Sequence, residues 1–137
     1  MSILLDTCAV IWLANGDAMS AGSLAAIRAA SRTGEVFVSP VSAWEIGLLA
    51  TNPVRPVRFD PDPITWFANL LALPGIDLAP LTPEAAIASS FLPGRLYADP
   101  ADRLLVATAR RMNATLVTRD AKLVRYGQQG HARVVAC

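Results

Sequence analysis

Residues 99–120, DPADRLLVATARRMNATLVTRD, join a helix to a strand and carry acidic residues at both ends. Asp99 followed by Pro100 is typical of a helix start, with a capping residue before a proline at the first helical position. The helix is predicted to run to about Met112, and it is apolar nearly all round over 104–109, which indicates a central position. A strand follows at 115–118, so this stretch predicts a helix-then-strand unit of an α/β fold.

The same alternation continues on both sides of this stretch. Short apolar runs predict further strands at 3–5, 36–39, 76–78 and 134–135. Helices are predicted at 9–13, 23–32, 42–50, 64–73, from Thr82-Pro83 to just before Pro93, and at 120–126, with a proline-rich loop over 52–63. Continuous apolar strands that alternate with helices are typical of a parallel sheet covered on both faces. We therefore predict a three-layer α/β/α sandwich with a central, mostly parallel sheet of four to five strands.

Length and composition indicate one folded domain over residues 1–137. The chain is 53% hydrophobic and 17% charged, which excludes a disordered protein. No apolar stretch is long enough to span a bilayer, and the first residues lack the features of a signal peptide, so we expect a cytoplasmic protein without membrane contact. The net charge of +1 argues weakly against a protein that coats nucleic acid by bulk charge.

Several site types are disfavoured by the residue inventory. The only cysteines, Cys8 and Cys137, form no zinc motif, and we expect a buried Cys8 and two reduced thiols. No glycine-rich nucleotide-binding motif is present. His131 is the only histidine, and its place in a glycine- and glutamine-rich turn predicts a surface position. A histidine-based mechanism is therefore disfavoured.

Four carboxylates are predicted to meet at one edge of the sheet. Asp6 and Asp120 end the first and fourth strands, and Glu45 lies in the first turn of the helix after the second strand. Asp102 lies in the first turn of the helix that leads back into the fourth strand, so it sits over the same carboxyl edge. Two carboxylates about 4 Å apart repel by roughly 4 kcal/mol at an effective dielectric near 20. Such a cluster indicates a site for a hard cation, Mg²⁺ or Mn²⁺.

Each acid also has a structural interpretation. Asp6 and Asp120 are each placed to cap the helix that follows, and Ser42-Ala43-Trp44-Glu45 matches a capping box in which Glu45 bonds back to Ser42. We assign Asp99 mainly to a cap, with a metal-ligand role as a further candidate, and Asp102 mainly to the metal.

Three side chains beside the acids are candidates for supporting roles. The Thr118 hydroxyl is placed to orient a carboxylate or a metal-bound water. Arg103 and Arg119 adjoin the acids, either as ion-pair partners, which we favour, or as ligands of an RNA phosphate.

Four stretches, 4–9, 41–46, 99–109 and 116–120, together resemble the PIN-domain ribonucleases, in particular the VapC-type toxins of prokaryotic toxin–antitoxin pairs. The resemblance implies a parallel α/β/α sandwich, RNA cleavage, a homodimer and a small cognate antitoxin. It also implies an Mg²⁺ or Mn²⁺ site at the positions of Asp6, Glu45, Asp102 and Asp120. Asp99 matches an acid found in one subgroup, whose pattern often has a histidine two residues earlier, where this chain has Tyr97.

The sequence therefore predicts a metal-dependent endoribonuclease that is the toxin of a toxin–antitoxin system. The acidic set favours metal-assisted hydrolysis of a phosphodiester bond, and the resemblance implies that this bond is in RNA. Two alternatives stay open. One is a non-catalytic PIN-like module that binds RNA or protein, and the other is a metal-dependent phosphohydrolase of small molecules.

Overall fold

A computed structural model describes residues 1–137 as five strands and seven helices. All strand pairs are parallel, and the strand order in the sheet is β3-β2-β1-β4-β5. The strands are β1 (Ile3–Leu5), β2 (Val36–Val38), β3 (Ile76–Leu78), β4 (Thr115–Thr118) and β5 (Val134–Ala136). The helices are α1 (Thr7–Asn15), α2 (Ala21–Ser31), α3 (Pro40–Ala50), α4 (Pro63–Leu71), α5 (Pro83–Ala88), α6 (Pro100–Met112) and α7 (Ala121–Gln128).

The two faces of the sheet are covered by separate apolar clusters. Side chains alternate across a strand, so Leu4 and Leu116 point to one face while Ile3, Leu5 and Val117 point to the other. The first cluster includes buried residues of α6 and α7, and the second includes buried residues of α1, α2 and α4. The central strands β1 and β4 are fully buried, as their continuous apolar sequences require.

The predicted parallel sandwich is confirmed, and α6 is central as expected. Leu105, Val106 and Ala107 are almost completely buried. Several helix boundaries differ from the prediction, and two of them bear on the site or its surroundings. The helix predicted from 42 begins at Pro40, with Ser39 as its cap, and the helix that begins at Pro83 ends at Ala88 rather than just before Pro93.

The order of the strands creates a crevice between β1 and β4. From β1 the chain moves to β2 and β3 on one side, and β4 and β5 then lie on the other side. In parallel sheets, such a reversal leaves a cleft beyond the carboxyl ends of the two strands where the order changes. The residues that follow β1 and β4 are therefore the first place to look for a site. None of the helices has the length and apolar character that crossing a membrane would need.

Candidate active site

Asp6 lies at the carboxyl end of β1, in the crevice beside β4. Its backbone N–H donates to the Val117 carbonyl at 3.0 Å, which continues the pairing of β1 with β4. This register places the hydroxyl of Thr118 beside the Asp6 carboxylate, and Thr118 donates to Oδ2. The Ala9 N–H donates to Oδ1 at 2.7 Å, so Asp6 also caps α1. The capping interpretation of Asp6 is correct, and the predicted orienting role of the Thr118 hydroxyl has a direct geometric basis.

The environment of Asp6 disfavours its negative charge. The residue is 7% exposed, and burial raises the pKa of its carboxyl. The hydrogen bonds from Thr118 and Ala9 oppose that rise, while the nearby charge of Asp120 adds to it. A cation bound beside Asp6 would remove this penalty.

Asp120 follows β4 on the other side of the crevice. Its Oδ1 accepts the Lys122 N–H at 2.8 Å, which makes Asp120 the cap of α7. The Lys122 ammonium lies 4.0 Å from Oδ2, in a partly exposed ion pair. The capping interpretation is therefore correct here too.

Glu45 is held by a chain of hydroxyl groups that sequence analysis missed. Thr7 donates to Oε1 of Glu45 at 2.5 Å, and the Thr7 hydroxyl lies 3.0 Å from the Ser42 hydroxyl. Since Thr7 uses its proton for Glu45, Ser42 is the donor to Thr7. Thr7 and Ser42 are both buried, so the chain joins α1 to α3 inside the protein.

The capping-box interpretation of Glu45 is wrong. Ser39 caps α3 by accepting from the Val41 N–H at 3.0 Å, and Pro40 is the first helical residue. Ser42 therefore lies inside the helix, and Glu45 is turned toward Thr7 instead of back to the helix start. Burial raises the pKa of Glu45, and the Thr7 hydrogen bond lowers it.

Asp99 caps α6 as predicted, while the assignment of Asp102 to the metal stays a prediction. Asp99 Oδ1 accepts the Asp102 N–H at 2.9 Å and caps α6, with Pro100 next in the chain. The pKa of Asp102 is raised to about 7, mainly by burial and then, in decreasing order, by the negative charges of Asp99, Asp120, Glu45 and Asp6. No hydrogen bond to the Asp102 carboxylate offsets these effects.

The five acids gather along one edge without closing into a cage. All four neighbours act electrostatically on Asp102, which places them in one region. No three acidic, histidine or cysteine side chains are close enough together to hold a metal ion. The donor set is nevertheless suited to Mg²⁺ or Mn²⁺, because every donor is a carboxylate or hydroxyl oxygen. The four-carboxylate metal site thus stays a prediction.

The two arginines beside the acids form no ion pair with them. Arg103 donates to the Ser89 carbonyl at 2.9 Å and to the Leu96 carbonyl at 2.7 Å. The only side-chain ion pairs in the chain are Arg58–Asp60 and Lys122–Asp120. The favoured ion-pair interpretation of Arg103 is therefore wrong, and its guanidinium holds the segment before α6 in place.

Arg119 has a similar structural position. It donates to the backbone oxygens of Ala18 and Cys137 at 3.1 Å each, and its guanidinium lies 3.4 Å from the centroid of the Trp12 ring. The predicted ion pair is wrong for Arg119 as well. Arg119 therefore links the end of α1 to Cys137 after β5, beside the crevice.

Two further expectations need correction. Cys8 is exposed rather than buried, because Thr7 and Ala9 on either side of it face the interior. Both thiols are free, as expected. His131 is half-buried rather than on the open surface, and its ring packs at 4.9 Å from the Tyr126 ring.

Metal-free stability should fall as pH rises, because of Asp102. Its folded-state pKa is about 7, against 3.8 for the free side chain. Below about pH 4 both states hold the proton, and between pH 4 and 7 the unfolded chain loses it first, so stability declines with pH. Asp6 and Glu45 add slopes of the same sign. We expect Asp102→Asn to flatten the decline and to be more stable than the parent at pH 8, in urea melts with EDTA.

Asp17→Asn is the matched control, because Asp17 is an exposed acid in the loop after α1. This variant should keep the pH dependence of the parent. An Asp102→Asn variant with an unchanged slope would contradict the picture of a half-buried acid repelled by its neighbours.

Comparison with known proteins identifies the family and the fold of the chain. The PIN domain family model matches residues 3–129. Ribonuclease VapC22 of Mycobacterium tuberculosis is 30% identical over 123 residues, which cover 89% of each chain. Among solved structures, VapBC2 from Rickettsia felis bound to a promoter DNA fragment has a TM-score of 0.70 at 13% identity, covering 99% of this chain and 98% of that one. DNA-bound VapBC from Salmonella typhimurium has a TM-score of 0.66 at 14% identity with the same coverage. These two structures share the fold, and the family model and the mycobacterial relative together show that the chain belongs to the PIN domain family, as a VapC-type member.

Proposed function

We propose that this protein is a metal-dependent endoribonuclease and the toxin of a toxin–antitoxin pair. The observation that carries the proposal is the set of carboxylates around Asp102, which has no arginine ion-pair partner and a single lysine, Lys122, at 4.0 Å from Asp120. Clustered carboxylates repel one another and destabilise the folded state unless a cation neutralises them. The relative from Mycobacterium tuberculosis, named a ribonuclease, supports RNA as the substrate.

Asp6, Glu45, Asp102 and Asp120 are the proposed ligands of Mg²⁺ or Mn²⁺, with Asp99 as a further candidate. When bound, the cation supplies positive charge that polarises the phosphodiester and activates water. The residues of the chain supply position and charge. With its pKa raised to about 7, the Asp102 carboxyl is only partly ionised near neutral pH in the metal-free protein, and the ionised form is the one that acts as a ligand.

Two threonines act on the acids rather than on the substrate. Thr118 fixes Asp6 from β4, and Thr7 fixes Glu45 from α1. In both cases a hydroxyl donates to a carboxylate oxygen, which orients the group and favours its charged form. Partners of this kind around a metal site are typically worth about 10- to 100-fold in metal affinity or activity.

Glu45→Gln provides the central test of the proposal. Gln keeps an oxygen that can accept from Thr7, so the fold should stay intact while the charged ligand is lost. We expect Mn²⁺-dependent cleavage of RNA by the parent, no cleavage in EDTA, and a loss in the variant beyond the roughly 100-fold upper range of partner residues.

The outcomes of this assay separate the competing functions. Cleavage in EDTA, after contaminating nucleases are excluded, would remove the metal mechanism. Wild-type cleavage by Glu45→Gln would remove Glu45 from the site. A parent that binds RNA without cutting it would be a binding module, and one that hydrolyses only small phosphate esters would be a phosphohydrolase.

Thr7→Val tests the hydroxyl chain separately from the ligands. Val has nearly the shape of Thr but cannot donate to Glu45, so the pKa of Glu45 should rise further above its usual value. Because the charged form is needed, the acidic limb of the pH profile of kcat/KM should move to higher pH. Thr7→Ser keeps the hydroxyl and should keep the parent profile. Equal profiles for the Val and Ser variants would show that the chain is only structural.

Partner binding is the second part of the proposal. We propose a homodimer and a small antitoxin, and exposed apolar side chains support both. Ile64 at the start of α4 is 84% exposed, and Phe91 after α5 is 79% exposed. Trp44 and Leu48 of α3 are each 53% exposed. Exposed apolar groups of this kind mark interaction surfaces when they lie together.

Oligomeric state and antitoxin binding are measured for the parent and for substitutions at three exposed apolar positions. We expect light scattering to show a dimer across micromolar concentrations, and co-expression with the adjacent small reading frame to rescue growth and give a complex. Ile64→Ser or Phe91→Ser should weaken the dimer or the complex. Val54→Ser should weaken neither, because this 83% exposed side chain lies in the loop before α4. A monomer at all concentrations would contradict the dimer, and absent rescue would contradict the antitoxin.

A further inference from the structure

A cationic pocket lies beside the acidic edge and is not explained by the metal site. It is a cavity of 220 Å³ between the segment before α6 and the exposed face of α7. We call it the cationic pocket; its lining includes Arg95, Leu96, Tyr97, Lys122, Arg125 and Tyr126. No aspartate or glutamate lines it.

The positive charges of the cationic pocket are largely uncompensated. Arg95 and Arg125 form no salt bridge, and Lys122 has only Asp120, at 4.0 Å. All three side chains belong to exposed residues, so their charged groups are available to a ligand. The Lys122–Asp120 approach also shows that the pocket directly adjoins one of the proposed metal ligands.

The backbone segments that carry these charged side chains are held in place by buried contacts. Leu96 is buried in the core, and its carbonyl accepts from Arg103 at 2.7 Å, while the flanking Arg95 and Tyr97 are exposed. Tyr126 is 1% exposed, and its hydroxyl donates to the Pro93 carbonyl at 2.5 Å, which ties α7 to the same segment. The two walls of the pocket are therefore held together by buried contacts.

The turn at Gly94 adds to this fixation. Gly94 has a φ of +68°, and a Cβ at this position would collide with the His131 ring, which itself packs on Tyr126. The segment that carries Arg95 and Tyr97 thus enters the pocket at a set angle. A site that is rigid before binding loses less conformational entropy when a ligand arrives.

We propose that the cationic pocket binds the single-stranded RNA next to the phosphodiester that is cleaved. Arg95, Lys122 and Arg125 contact backbone phosphates, and the exposed ring of Tyr97 stacks on a base. Positive groups along a groove combined with an aromatic platform are the features that bind single strands without reading their sequence. This inference rests on the proposed function, because it assigns a binding role for the same RNA.

The charge pattern gives a reason for such a pocket. The acidic edge repels a polyanion until a cation is bound, and even then it offers few positive contacts. A neighbouring pocket with three cations offsets that repulsion and holds the strand across the edge. Arg103 cannot take this role, because its guanidinium is occupied by the Ser89 and Leu96 carbonyls.

The test measures RNA binding without cleavage. Glu45→Gln, which keeps an acceptor for Thr7 and is expected to lose cleavage, is placed in every protein. Mn²⁺ is present so that a cation neutralises the acidic edge, and the probe is a fluorescein-labelled single-stranded RNA of about ten nucleotides, long enough to span a typical single-strand site. Fluorescence anisotropy gives Kd over a range of salt concentrations. Each phosphate contact on a single strand contributes about 0.7 to the slope of log K against log salt. Lys122→Gln, Arg95→Gln and Arg125→Gln should each reduce the slope by about that amount.

Matched variants separate charge and stacking from general damage. Arg125→Lys keeps the charge and should keep the slope. Arg133→Gln removes an exposed arginine just before β5, at the amino ends of the strands and away from the acidic edge. This variant should leave both Kd and the salt slope unchanged. Tyr97→Ala should weaken binding by roughly 5- to 150-fold, the range for loss of one stacked base, while Tyr97→Phe should bind as the parent does.

Several results would overturn the inference. They are a parent that does not bind the RNA, Gln variants with the parent slope, or an effect of Arg133→Gln as large as theirs. Loss of the antitoxin complex with unchanged RNA binding would reassign the pocket to a protein partner. Failure of the proposed function is distinct. In that case the unsubstituted protein would cut no RNA in Mn²⁺, while the pocket variants would still change RNA binding.

Discussion

The hydrogen bond from Thr118 to Asp6 is the interaction on which the rest of the site depends. It joins the ends of β1 and β4 at the point where the strand order reverses. The same carboxylate also receives the Ala9 N–H and so starts α1. One buried acid therefore fixes two strands and a helix, and the position of Thr7 on that helix follows from it. Since Thr7 holds Glu45, the geometry of α3 at the site follows as well.

The carboxylates of this site repel one another, and three of them also cap helices. Asp6, Asp99 and Asp120 each satisfy backbone N–H groups at a helix start, which contributes typically about 1 kcal/mol per cap. These caps let the fold gather negative charge at one edge, because each acid gains hydrogen bonds that offset part of its repulsion. Asp102 has no such bond, and its carboxyl carries the full effect of burial and of its neighbours.

Local patterns allowed most of the fold to be predicted, while the contacts between elements were not readable. The strands followed from continuous apolar runs, and the cap at Asp99 followed from the proline after it. Ser39 before Pro40 has the same pattern of a capping residue followed by proline. The prediction instead followed the capping-box spacing of Ser42 and Glu45, and so placed the helix start at Ser42. Thr7 and Glu45 are 38 residues apart, and only the packing of α1 on α3 brings them together. The cationic pocket likewise combines two distant segments whose proximity depends on the Tyr126 contact.

The hydroxyl and amide donors have a consequence for how the acids can ligate an ion. Both oxygens of Asp6 already accept one hydrogen bond each, and Oε1 of Glu45 accepts another. Chelation of one ion through both oxygens of a carboxylate would require those bonds to break or bend. The geometry therefore favours ligation through a single oxygen of Asp6 and of Glu45. Ca²⁺ sites commonly rely on two-oxygen chelation, whereas the smaller Mg²⁺ keeps several waters, so hydrogen bonds that occupy the second oxygen favour Mg²⁺ over Ca²⁺.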